Sequence, residues 1–368
     1  MDGQIFAVQE HGGISRMFAE LADQFIQDPS LGVSLEPLSM VTRNHYLLSE
    51  PRLAEHLRVR PAQWQHLTVA RYLARPHRST NADVVHSTFY LTRARRDFPG
   101  RPHVVTVHDM IPEIFPESRR RADRITDKRR YVDQASHIIC VSESTKADLL
   151  RIFGDVQASI SVIPHGVNPR FAPTDARIPG FPHEYLLYVG KRDGYKDVAT
   201  LINAIPHLVE EFPELTLMLV GGGGLTALER DHIARLGLGH RVLQRSVADI
   251  DMPAAYSGAR AFVFPSRYEG FGLPVLEAMA CGAPVILANA SSLPEVGGNA
   301  ALYFAAGDPS ELVESVRLVL GDDETAGQMA RAGRERAQGF TWWRAAASTR
   351  DVYAQTLGLT GTQESRPQ

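Results

Sequence analysis

The chain has 368 residues, 44% of them hydrophobic and 22% charged, with a formal charge of −3, which is the length of two ordinary domains at ~150 residues each. So even a balance leaves no electrostatic footprint for nucleic acid, and that partner class is set aside. No apolar run approaches the ~18 residues of a membrane span, and a basic segment followed by an apolar block is missing at the start, so the expected compartment is the cytoplasm.

Residues 4–8 predict a short strand, followed by Glu10-His11-Gly12-Gly13-Ile14-Ser15-Arg16 and an amphipathic helix over residues 14–25. Gly12 and Gly13 either bring the backbone close to a ligand or make a tight strand-to-helix turn. Arg71, Arg75 and Arg78 give a predicted helix over part of residues 50–80 a basic, solvated face. Short apolar runs then recur at residues 84–86, 104–107, 138–141 and 160–163, separated by helical or loop segments. That alternation predicts a parallel sheet wound on both faces.

Ligands of such sheets collect beyond the carboxyl ends of the strands. His108 and Asp109 follow residues 104–107, and position alone leaves two readings open: a histidine aimed at a ligand, or one satisfied locally beside an aspartate that caps a turn. Ser142 predicts the N-cap of a helix over residues 144–153. The run RRRADRITDKRR, residues 119–130, reads as a solvated helix with ion pairs, with a patch for an anionic membrane surface as the other reading. Cys140 and Cys281 lie far apart in apolar contexts and read as free buried thiols.

A proline-rich linker at residues 169–182 separates this half from a second, which opens with a strand over residues 185–189. That strand delivers Gly190-Lys191-Arg192-Asp193-Gly194-Tyr195-Lys196 before a helix over residues 197–208, and a cation pair at a strand end favours an anionic ligand over bare surface. Gly221 to Gly224 after residues 215–220 imitate a dinucleotide fingerprint, but the expected acid is missing from the next strand end, which excludes a nicotinamide enzyme. Asp249 and Asp251 imitate a metal pair; Met252-Pro253 makes Asp251 a helix N-cap instead, and no metal is assigned. The loop Arg245-Ser246-Val247 lies where such folds hold a base.

The densest stretch is residues 261–296. A strand over residues 261–264 leads into Glu269-Gly270-Phe271-Gly272-Leu273-Pro274 and a helix ending near Cys281. The amides at the start of that helix suit an anionic group such as a phosphate. Glu269 and Glu277 flank the same place, and carboxylates there suit hydroxyl groups, as on a ribose and a sugar. Helices are predicted over residues 309–320, 323–338 and 342–357, with Phe340, Trp342 and Trp343 as anchors for the last.

The string EGFGLPVLEAMACGAPVI, followed by Pro294-Glu295 and Gly297, resembles the nucleotide-sugar site of the family 4 retaining glycosyltransferases. The opening QIFAVQEHGGISRMFAELA resembles that of bacterial polysaccharide and O-antigen mannosyltransferases of the same family, in which a full first strand precedes this segment. The resemblance implies an α/β protein of GT-B architecture: two doubly wound Rossmann-like domains facing a cleft. The first, on the acceptor side, would span residues 1–172. The second, binding the nucleotide sugar, would span residues 173–341, and a helix within residues 342–368 would cross back to the first.

Site residues follow from the same resemblance. Arg192 and Lys196 would neutralise the departing diphosphate without a metal, helped by the amides of Gly270, Phe271, Gly272 and Leu273. Glu277 would hold the ribose, and Glu269 with His108 and Asp109 would hold the sugar near the reacting centre. Gly12 and Gly13 would approach the diphosphate, and the Val247 loop the base. The implied reaction is metal-independent hexosyl transfer with retention, by front-face substitution, and without a resident cofactor. The co-substrate would be a GDP- or UDP-sugar, with GDP-mannose expected. A glycan or lipid-linked polysaccharide or O-antigen precursor would be the acceptor, with peripheral contact at the inner membrane surface. A UDP-sugar enzyme of the same family, a nucleotide-sugar epimerase, a sucrose-type synthase and a catalytically silent binding subunit are the alternatives.

Overall fold

The computed structural model describes residues 1–62, 81–92, 100–118, 127–192 and 194–359. The expected basic face around Arg71, Arg75 and Arg78, residues 119–126 of the basic run, and the tail beyond residue 359 lie outside them. The chain divides into two compact units, Met1–His165 with Trp342–Gln368, and Gly166–Thr341. This moves the boundary, expected at residue 172, to His165. The physical reason is Phe171: it is 4% exposed, packs edge-on to Tyr256, and draws the linker into the second unit, where the Thr174 amide donates to Ser257 Oγ at 3.2 Å.

The first unit carries a small parallel pair, β1 (Val41–Thr42) with β2 (Arg60–Pro61). Among the described residues its main sheet has four parallel strands, in the order β3 (Val85–Ser87), β4 (His103–Val107), β5 (His137–Cys140) and β6 (Ser159–Val162). β4 and β5 are buried along their whole length, as strands covered on both faces are, so apolar residues dominate them and even His103, Thr106 and His137 are buried. Ser142 Oγ accepts from the Thr145 amide at 3.0 Å and caps the helix Glu143–Phe153.

Residues 4–8, expected as a strand, form a helical turn, Gln4–Val8. Gln4, Ile5, Phe6 and Ala7 are all buried, so the run has no alternation to separate strand from helix. The polar contacts decide: the Ile5 amide donates to Thr88 Oγ1 at 3.1 Å, and Gln4 Oε1 accepts from the Leu91 amide at 2.7 Å. The following helix, Gly13–Gln27, buries Met17, Phe18, Leu21, Ala22 and Phe25 on one stripe, the spacing of an amphipathic helix. Trp342–Thr356 packs beside it in the same unit: Trp343 Nε1 donates to Asp28 Oδ2 at 2.8 Å, and the Tyr353 hydroxyl lies 2.7 Å from His86 Nδ1. Phe340 is not an anchor of that helix; it faces Phe271 inside the second unit.

The second unit is built on six parallel strands: β7 (Tyr185–Val189), β8 (Thr216–Val220), β9 (Val242–Arg245), β10 (Ala261–Phe264), β11 (Val285–Ala288) and β12 (Leu302–Phe304). Their order is β12-β11-β10-β7-β8-β9. The chain therefore winds outward from β7 through β8 to β9, returns, and winds the other way from β10. The loops leaving β7 and β10 meet at that reversal, where the Arg267 amide donates to the Tyr195 carbonyl at 2.9 Å, and such reversals are where ligands of open α/β sheets bind. Asp251 stands at the N-cap position of Met252–Ser257 but makes no capping bond with its side chain, unlike the sequence expectation. Cys140 and Cys281 are free and buried, and burial pushes both thiols up to about 12. Among the described residues no helix is long and apolar enough to cross a membrane.

Candidate active site

Lys196 arrives on the loop after β7 and Glu269 on the loop after β10, so the strand-order reversal brings them together. Lys196 Nζ donates to both carboxylate oxygens, at 2.6 and 2.7 Å. The two side chains are only 15% and 10% exposed, where an ion pair is poorly screened. An ammonium has three N–H donors, and the third has no partner among the described residues. The ammonium also lies 5.2 Å from the Tyr195 ring centroid and 5.6 Å from that of Phe264.

Backbone geometry fixes both residues. Asp197, next to Lys196, sits at φ 49°, a left-handed conformation that costs a non-glycine residue ~1 kcal/mol or more. Its carboxylate offsets the strain by accepting from Arg267 Nε and Thr200 Oγ1, both at 2.9 Å. Glu269 is held through its main chain: its amide donates to Ser291 Oγ at 2.8 Å, and its carbonyl accepts from Ser292 Oγ at 3.0 Å. Asp197, Ser291 and Ser292 escaped the sequence reading, since small polar residues in loops carry no pattern of their own.

Gly270, Phe271 and Gly272 lead directly into the helix Leu273–Ala280. Gly272 has φ +109°, which a side chain would resist, and Pro274 occupies the first turn, where no amide is needed. Phe271 is 4% exposed and packs on Phe340, so its contribution to a ligand is its backbone. Within the helix Glu277 is 6% exposed, and Oε2 accepts from the Tyr256 hydroxyl at 2.8 Å. Tyr256, a partner the sequence did not reveal, orients that carboxylate. Glu277→Ala should weaken nucleoside diphosphate binding about tenfold or more, and Tyr256→Phe by a smaller factor, each hydrogen bond to a charged group being worth ~1.5–3 kcal/mol. Calorimetric titration of folded variants decides; wild-type affinity in Glu277→Ala removes the residue from the site.

Arg192, expected beside Lys196, has other partners. Its guanidinium is 4% exposed, pairs with Glu229 at 2.6 Å, and donates to the carbonyls of Gly221, Gly223 and Gly224. Val247 lies in the irregular segment after β9 and is half-buried. Among the described residues no group of three or more His, Cys, Asp or Glu side chains gathers to hold a metal ion; Asp249 faces Arg170 at 3.5 Å.

In the first unit His108 stands at the carboxyl end of β4, 6% exposed. Neither ring nitrogen has a hydrogen-bond partner, an uncommon state for a buried polar side chain. The ring meets the edge of Phe18 at 5.6 Å and lies 6.5 Å from Tyr90. Burial first, then the nearby Lys128 charge, lowers its pKa to about 3. The Thr88 backbone, near the ring but outside hydrogen-bonding geometry, offsets this only weakly. Asp109 caps the next turn, accepting from the Ile111 amide at 3.0 Å. Lys128 is 8% exposed and donates to the Asp109 carbonyl and Glu113 Oε2, both at 2.8 Å, so the end of the basic run props the loop behind His108. Gly12 is explained locally: a Cβ there would meet the Gln9 side chain at 2.4 Å, the group that accepts from the Ser15 amide at 2.9 Å. Gly13 is exposed at the start of that helix.

Buried histidines of the first unit, His86, His108, His137 and His165, share the same direction of shift. Burial lowers His86 well below its usual range and His165, like His108, to about 3. A base with a depressed folded pKa leaves the unfolded chain binding more protons between pH 3 and 6.5. Stability is therefore full above about pH 6.5 and falls as the pH drops through that window, by at most ~1.4 kcal/mol per pH unit for each group. Urea melts at pH 7.5, 6 and 5 should show the first unit weakening, and equal stability at all three would contradict it.

The family described as Glycosyltransferase Family 4 matches residues 11–171, and that described as Glycosyl transferases group 1 matches residues 176–336. Glycogen synthase from Mycobacterium tuberculosis is 32% identical over 293 residues, covering 75% of this chain and 69% of the relative. The chain belongs to glycosyltransferase family 4. This glycosyltransferase is also similar to O-antigen chain mannosyltransferase B of Escherichia coli, 30% identical over 271 residues, 68% of this chain and 69% of the relative. Its fold is that of GT-B enzymes. The solved structure of Anabaena HepE in complex with UDP and glucose superposes with a TM-score of 0.67 at 19% identity, covering 95% of this chain and 97% of that one.

Proposed function

We propose that this glycosyltransferase moves a hexose, with retention at the anomeric carbon, from a nucleoside diphosphate to a hydroxyl of a lipid-linked polysaccharide or O-antigen precursor. GDP-mannose is the donor to test first. The observation that carries the reading is the meeting of Lys196 and Glu269 where the strand order of the second unit reverses, beside the Gly270–Leu273 backbone. There the ammonium and the helix amides stabilise a departing diphosphate, and Glu269 accepts from sugar hydroxyls. Glu277, oriented by Tyr256, accepts from the ribose, and the Val247 segment lies beside the base.

His108 supplies a neutral imidazole for a sugar hydroxyl. Its unpartnered nitrogens lose nothing when a ligand bonds to them, and burial keeps them uncharged. No carboxylate nucleophile is assigned, so the reading is front-face substitution in which the leaving diphosphate helps to take the acceptor proton, and not double displacement. The reaction needs no metal. Peripheral contact with the inner membrane surface through the basic run of residues 119–130 belongs to the same reading.

The mannose assignment draws on the relative from Escherichia coli and the opening around Gly12 and Gly13; the UDP complex of the Anabaena structure supports a UDP-sugar as the second reading. Titration with GDP and UDP, then turnover of GDP-mannose and UDP-glucose on an undecaprenyl-linked acceptor mimic, separates the two. Tighter UDP binding with UDP-sugar turnover would overturn mannose. Sugar conversion without any acceptor would favour an epimerase, and transfer to a free sugar a sucrose-type synthase.

A further inference from the structure

We infer that Arg192 is a positioning residue: it gathers the glycine turn after β8 around its guanidinium and so fixes the loop that carries Lys196, without touching the donor diphosphate. The inference rests on the nucleotide-sugar reading above for its effect on binding, but not for its structural content.

Nε donates to Glu229 Oε1 at 2.6 Å, Nη1 to the Gly221 carbonyl at 2.8 Å, and Nη2 to the carbonyls of Gly223 and Gly224 at 2.9 Å each. These bonds involve every nitrogen of a fork that has five N–H donors. Its partner is equally fixed. Glu229 Oε2 accepts from the Thr226 amide at 2.6 Å, closing a capping box at the start of Ala227–Arg235.

The turn itself is built for this cation. Gly221, Gly222 and Gly223 have φ of +82°, +69° and +76°, a left-handed run open only to glycine. A Cβ on Gly222 would stand 2.8 Å from both the Gly190 carbonyl and Arg192 Nη1. The loops leaving β7 and β8 therefore touch backbone to backbone, and the guanidinium joins them. Lys196 sits further along the β7 loop, so its place depends on that join. A guanidinium clamping diphosphate would have to abandon a half-buried carboxylate and three carbonyls. Lysine cannot substitute, because a single ammonium cannot reproduce the planar fork.

Hydrogen exchange and binding test this on the full chain, with Arg192→Lys, Arg192→Gln and Glu229→Gln; the last keeps the guanidinium should the arginine variants fail to fold. Without nucleotide, the amides of Gly221, which donates to the Arg245 carbonyl at 3.3 Å, and of Thr226, which donates to Glu229 Oε2 at 2.6 Å, should exchange about tenfold or more faster in each variant; wild-type exchange in folded variants overturns the inference. In titrations with GDP and GMP, and with UDP and UMP, the arginine variants should lose affinity mainly for the diphosphates, because the loss passes through Lys196. Glu229→Gln should reproduce the loss, with no further loss in the double variant. A loss in the arginine variants with Glu229→Gln binding like wild type makes Arg192 a direct phosphate ligand and overturns the inference. Wild-type chain that binds none of the four nucleotides would sink the nucleotide-sugar reading, while the exchange data still decide the role in the loop.

Discussion

His108→Met should lower turnover by ~10²-fold or more while leaving thermal stability unchanged or raised. The two halves of that result have separate causes. For stability, the wild-type ring is buried with neither nitrogen hydrogen-bonded, so the folded state bears the desolvation of a polar group and gains no bond in return. An apolar side chain of similar size removes that cost, and such replacements are neutral or stabilising. For activity, the same unmade bonds are the ones the sugar would complete. Because burial holds the ring neutral down to about pH 3, turnover of the wild type should show no inflection near pH 6.5 from this residue. Calorimetric melting beside steady-state kinetics checks both halves. A variant that loses stability and keeps its turnover would make His108 an ordinary core histidine.

Lys196→Gln should cut kcat/KM by ~10²-fold or more, with wild-type activity unchanged by EDTA. Here stability should fall as well, by roughly 1–3 kcal/mol, because Glu269 keeps a largely buried charge and loses the partner now at 2.6 Å. The double variant Lys196→Gln, Glu269→Gln removes that orphaned charge, so it should melt near the wild-type temperature and remain inactive. Glu269→Gln alone should retain more activity than the double variant, and that difference separates the electrostatic role of Lys196 in transfer from the structural role of the pair. Recovery of activity in the double variant would show that only the fold needed the lysine. Activity abolished by EDTA and restored by Mn²⁺ would overturn metal independence and reopen Asp249 and Asp251 as ligands.

The sequence by itself determined the parts that local chemistry writes locally. Strands such as Tyr185–Val189 and Ala261–Phe264 are unbroken apolar runs because both faces are covered, and the turn at Gly272 and Pro274 is written in residues whose backbone freedom is unusual. Ser142 caps its helix from the adjacent residue, and the family is legible because Glu269 to Glu277 is one contiguous string. Tertiary structure alone decided whatever depended on a partner far along the chain. Gln4–Val8 is helical because Thr88 and Leu91 take up its polar groups, and no pattern within a run whose first four residues are all buried could say so. The linker joined the second unit because Phe171 found Tyr256, and the same Tyr256 orients Glu277. Arg192 and Lys196 look alike in sequence, two cations on one loop. Their partners lie dozens of residues away, Glu229 beyond β8 for one and Glu269 beyond β10 for the other, and only the order of strands in the sheet sends the first into the glycine turn after β8 and the second to the place where the strand order reverses.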